Sequence, residues 1–144
     1  MSATNFTGNV YGQRQGCSII AHTYPVNFNT AGIATAIKVD TIKASVTNPV
    51  YIESSSVVIT AFNALTTNVL TAGTTSANAN EILAAGDITE GTPGFYPAAN
   101  AVIKQRLIAD TEIWVKYTQS GTAATTGAAV IIVKEYNENT KAIV

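Results

Sequence analysis

At 144 residues the chain suits one domain, and a formal net charge of −1, from eight Lys and Arg against nine Asp and Glu, leaves no long-range positive field for a phosphate backbone. One Cys and one His exclude an intrachain disulfide, a thiolate cage and a multi-histidine metal site. Only 12% of residues are charged against 47% hydrophobic, so the chain is spent on strands and surfaces, with little repulsion between copies.

Residues 1–16 (MSATNFTGNVYGQRQG) are polar and Gly-rich with no apolar period, which predicts an extended arm ordered by a partner. The start is neither basic nor continuously apolar, so no secretion signal is read. No apolar run approaches the roughly 20 residues that span a bilayer. The expectation is a soluble product of the cytoplasm with no membrane partner.

From Cys17 the pattern becomes that of strands: CSIIAHTYPV, GIATAIKVDTI, ASVTNPVYIE and SVVITAF. Ile33, Thr35, Ile37 and Val39 alternate with Ala34, Ala36, Lys38 and Asp40, a period of two. Pro25 and Pro49 cannot donate to a ladder and belong at edges, ends or bulges. A small-residue loop is expected over Asn63 to Thr75. SANANEILAAGD predicts the one short helix, with Ser76 as cap and Gly86 as exit. Residues 87–100, DITEGTPGFYPAAN, read as a long loop broken by Pro93, Gly94 and Pro97. AVIKQRLI returns to a strand, and TEIWVKYT and AAVIIVKEY read as a β-hairpin around QSGTAATTG. Ile113, Val115 and Tyr117 share one face of that strand, and Trp114 is the expected core anchor.

These elements predict an all-β fold, a jelly-roll-like β-sandwich or barrel with one short helix and an extended N-terminal arm. The expected divisions are an arm over 1–16, a β-sandwich domain over 17–136 and a tail over 137–144.

Candidate chemistry is sparse. His22 lacks a nearby orienting acid, the closest in sequence being Asp40, so a packing or hydrogen-bonding role is expected. Cys17 sits in an apolar run and reads as a small buried hydrophobe. Asp87 with Glu90, and Glu135 with Glu138, read as solvated pairs. No catalytic residue, cofactor site or metal site is assigned, and no enzyme is expected. Phe95 and Tyr96 are adjacent aromatics, so on an extended chain one ring anchors inward while the other faces out as an interface candidate. Tyr11 and Arg14 are the corresponding candidates in the arm.

The segments TAGIATAIKV, VVITAFNALTTNVLTAG, ILAAGDITEGTPGFYP and ADTEIWVKYTQSGTAATTGAAVIIV, spanning roughly residues 30–133, resemble a type of small virion protein from tailed-phage structural gene clusters. The resemblance implies a β-sandwich that decorates or cements the capsid from its outer surface. Its implied partners are the major capsid protein and further copies of itself, as a trimer by preference or a dimer, with no nucleic acid. A tail, baseplate or fibre-associated structural protein and a carbohydrate-binding module are the alternatives.

Overall fold

The computed structural model describes residues 17–103 and 106–138. Eight strands follow in chain order: β1 (Cys17–Asn27), β2 (Ile37–Ile42), β3 (Val50–Thr60), β4 (Thr67–Gly73), β5 (Gly94–Pro97), β6 (Arg106–Leu107), β7 (Thr111–Ser120) and β8 (Ala128–Glu138). They form two antiparallel sheets. The larger has the order β1-β8-β3-β5, with β6 also on β3, and the smaller has the order β2-β7-β4.

Strand alternation builds the core, because residues two apart share a face. Ile113, Val115 and Tyr117 of β7 point inward with Ala129, Ile131 and Val133 of β8 and Val50, Ile52 and Val58 of β3. Phe62 and Tyr117 lock one end, ring centroids 4.8 Å apart and tilted by 43°. The all-β, sandwich-like architecture is the one the alternation predicts.

Pro25 sits where an edge strand tolerates it. Phe28 N donates to Gly127 O at 3.0 Å, which continues the β1–β8 ladder. Even-numbered residues of β1 therefore aim their amides at β8, and Pro25 turns its missing donor to the open edge. Pro49 stands just before β3 begins.

Several expectations are corrected. β7 and β8 do not form a hairpin: β7 pairs with β2 and β4, and β8 with β1 and β3, so the connection at 121–127 crosses between the sheets. The apolar faces of the two strands meet across the core instead of lying edge to edge. Trp114 is on the outer side of the smaller sheet, only partly covered, its Nε1 donating to Glu112 Oε1 at 2.8 Å. The bulk comes from Tyr117, Phe62 and the Ile, Leu and Val residues.

No helix forms over 76–87, and the sole helical turn among the described residues is a 3-10 turn at Ile33–Thr35. Ser and Asn side chains compete for the backbone there, and two to three turns are marginal in isolation. The segment instead lies against β4: Ala72 N donates to Leu83 O and Leu83 N to Ala72 O, each at 3.0 Å, so the edge of the smaller sheet is covered. A Cβ on Gly73 would collide with Asn78 O, so this close approach requires glycine. The loop expected over Asn63 to Thr75 is mostly β4, the segment expected to lack regular structure contains β5, and of AVIKQRLI only Arg106–Leu107 pairs.

Candidate functional site

His22 is the centre of a polar link between the sheets. β1 carries His22 and Tyr24 inward, β8 brings Glu135, and the irregular register between Lys38 and Asp40 of β2 brings Asp40. His22 Nε2 lies 2.7 Å from Glu135 Oε2, and His22 Nδ1 lies 3.3 Å from Asp40 Oδ2. Tyr24 donates its hydroxyl to the same Asp40 oxygen at 2.8 Å. Burial, and then the hydrogen bond to Asp40, push the Tyr24 hydroxyl well above its ordinary range, so it stays protonated.

The two carboxylates engage opposite nitrogens of one ring and cannot converge on a common ion. Among the described residues no group of three His, Cys, Asp or Glu side chains could hold a metal. Through these contacts the cluster ties β1 and β8 to β2. That is the hydrogen-bonding role expected of His22.

Three of the four carboxylates read as solvated pairs, Asp87, Glu90 and Glu135, are buried instead, and the Glu138 side chain lies outside the described residues. Asp87 is 8% exposed. Burial pushes its carboxyl up, but hydrogen bonds from Ala84 N, Asn100 N, Ala99 N and Asn100 Nδ2 outweigh that and hold it below the usual carboxylate range. It thereby pins residue 84 to residues 99–100. Glu90 is 6% exposed. Burial drives its pKa up to about 7 against the opposing bonds from the Glu90 and Leu70 amides. Glu135 belongs to β8, half of the pair with His22, and not to a turn.

Of the interface candidates, Phe95 and Tyr96 fall on β5. Tyr96 packs against the core and donates its hydroxyl to Thr92 O at 2.8 Å. Phe95 is 64% exposed on the opposite side. Its register places it in an apolar row across the outer face of the larger sheet, Pro25–Val130–Val57–Phe95. Tyr11 and Arg14 lie outside the described residues, and so does the expected arm; the Cys17 side chain is likewise outside the description. A cavity of about 270 Å³ opens beside β3 between Ile52, Ile82, Pro97 and Ile103, with Glu53 and Ser54 at its wall. Among the described residues that line it, Glu53 is the one titratable side chain.

A capsid chain has this fold. A chain of the cyanophage Pam1 capsid asymmetric unit superposes with a TM-score of 0.62 at 19% sequence identity, covering 94% of this chain and 99% of that one. No protein-family model and no curated protein matches. The likeness runs through the whole sandwich rather than a local site.

Sequence reasoning missed the His22–Glu135 contact because 113 positions separate the two residues. A signal was present: Glu135 continues the inward series Ala129, Ile131, Val133, and an inward acid implies a buried partner.

Proposed function

We propose that this chain is a virion structural protein that binds the outer surface of a phage capsid and stabilises it, without catalysing a reaction. The supporting observation is the shared fold over nearly the full length of both chains with a phage capsid component. The composition agrees: a near-neutral body suits close packing on a shell. Its partner is the major capsid protein, and it assembles with further copies of itself. Exposed Phe95, and Tyr11 and Arg14 before the first strand, are the side chains we assign to contacts with neighbours.

A ligand that binds only the assembled shell raises its stability by mass action. Adding saturating protein to expanded capsids that lack it should raise their disruption temperature, read by scanning calorimetry. Equal disruption temperatures with and without the protein would defeat the proposal. Copies per particle separate shell from tail: hundreds favour decoration, a handful favour the tail.

A further inference from the structure

A second cavity, of about 200 Å³, lies on the outer face of the smaller sheet. Its floor is β4 and β7. Leu70, Ala72, Val115 and Tyr117 of these strands are buried in the core. Alternation therefore turns Val69, Thr71, Lys116 and Thr118 outward, with Thr71 paired to Lys116 and Val69 to Thr118. Its wall comes from the segment over 76–85 that covers β4. The bonds between Ala72 and Leu83 hold that wall on the sheet. Thr75 Oγ1 accepts from Asn78 N at 3.0 Å at one end of it, and Asp87 Oδ2 from Ala84 N at 2.8 Å at the other. The fold thus builds the cavity without help from a ligand.

The polar groups that line it are ones the fold leaves unused. Among the described residues the side chains of Thr71, Ser76, Asn80, Lys116 and Thr118 have no hydrogen-bond partner and no counter-ion. Thr71 is 7% exposed, and a hydroxyl so buried ordinarily finds a partner. Nearby polar side chains do: Ser120 Oγ donates to Thr67 Oγ1 at 2.7 Å and Thr74 Oγ1 to Glu81 Oε1 at 2.8 Å. The acids of the two strands and the wall are committed elsewhere. Glu112 holds Lys38 Nζ at 3.4 Å and Trp114 Nε1 at 2.8 Å, and Glu81 also holds Thr74 N at 3.2 Å. Lys116 is left half-buried, a cation facing a cavity of free hydroxyls.

We propose that this cavity is a binding site for one carboxylate group, with Lys116 as its counter-ion and Thr71 and Thr118 as hydroxyl donors. Ammonium and hydroxyls donate, and a carboxylate accepts through two oxygens. One cation balances one negative charge, so inorganic phosphate, which carries nearly two at neutral pH, is the poorer match. Val69, Ala77, Ala79 and Ala85 give the rest of the lining methyl groups, which suit a carbon stem. Two sources supply a carboxylate on such a stem: an Asp or Glu side chain of a neighbouring polypeptide, and a small free acid. The site does not depend on the capsid reading.

The test titrates isotope-labelled full-length protein at constant ionic strength, followed by amide chemical shifts. The probes are acetate, glutamate blocked at both its amino and its α-carboxyl group, inorganic phosphate, and acetamide as the neutral control. Acetate or blocked glutamate should shift the amides of Thr71, Asn80, Lys116 and Thr118 along saturable curves, and acetamide should not. Lys116→Gln should weaken that binding at least ~10-fold and Thr71→Val about 3-fold, as loss of a charge-assisted and of a neutral hydrogen bond implies. Lys134→Gln, on the larger sheet, should leave it unchanged. Denaturant midpoints equal to wild type show that the variants fold, and the wild-type titration decides even where one does not. Whichever acid binds more tightly names the source, a neighbouring chain for blocked glutamate and a free acid for acetate. No saturable shift with either acid, equal binding of acetamide, tighter binding of phosphate than of both acids, or undiminished affinity in folded Lys116→Gln overturns the inference. Each of these results leaves the capsid reading standing, because that reading is tested by the disruption temperature of the shell.

Discussion

Replacing Glu90 by Gln should remove a pH dependence that the wild-type protein carries across the neutral range. The Glu90 carboxyl is almost wholly buried, and burial raises its pKa from 4.5 to about 7. A carboxyl raised in the folded state binds its proton more tightly there than in the unfolded chain. Its contribution is therefore complete below pH 4.5 and is lost as pH rises through about 7. At ~1.4 kcal/mol per pH unit, the shift destabilises the fully ionised protein by up to about 3 kcal/mol. Gln keeps an oxygen for the Glu90 and Leu70 amides and cannot ionise. Urea unfolding of both proteins at intervals from pH 5 to 8.5 reads the effect. Asp87, whose lowered pKa moves its own loss of stability to more acidic pH, stays ionised throughout that range. The wild type should lose stability with rising pH relative to the variant, and the variant should be the more stable of the two at pH 8.5. Parallel curves across the range would refute the burial argument for Glu90.

Trp114→Ala should cost less than about 1.5 kcal/mol, since the indole is partly solvated outside the sheet, whereas Leu70→Ala in the core should cost about 2–5 kcal/mol; denaturant midpoints decide, and equal losses would place Trp114 inside. Asp87→Ala strands three backbone amides and the Asn100 amide, so it should destabilise by about 2–4 kcal/mol and make residues 84–100 the first site of limited proteolysis, seen by mass spectrometry of the fragments. Gly127→Ala drives a Cβ into the Phe62 ring at a φ of 148° and should destabilise by more than about 2 kcal/mol, while Gly91→Ala, which meets open space, should change the melting midpoint little.

What could be read from the chain was the local period and not the partners. Ile113, Val115 and Tyr117, like Ile131 and Val133, sit on the faces their spacing predicts, because side-chain alternation is fixed by the backbone alone. Pairing is set by the three-dimensional register, and a seven-residue connection can turn a strand back beside its neighbour or carry it to the other sheet. Trp114 was ambiguous for a related reason: its strand carries large residues on both sides, and size alone does not say which side is wet. Ser76 and Gly86 are helix-ending residues, yet the contact between Ala72 and Leu83 offers that segment a partner that an isolated helix lacks. The buried acids were illegible because their partners, Asn100 for Asp87 and His22 for Glu135, come from other connections and strands.

The placement of β8 sets an order of events during synthesis. It lies between β1 and β3 in the larger sheet, and both of those ladders depend on it. A ribosome delivers it after the other seven strands, so β1 must wait, edge exposed, through about a hundred residues of translation before its neighbour exists. Closure of so many distant pairings at once is slow and leaves sticky intermediates in the interval. The smaller sheet escapes this constraint, since β2, β4 and β7 are all in hand earlier. A nascent chain halted before residue 128 can pair β2, β7 and β4, and β5 and β6 on β3, but cannot join β1 to β3 in the larger sheet, and truncation from the C-terminal side should abolish folding long before truncation of equal length from the other end does.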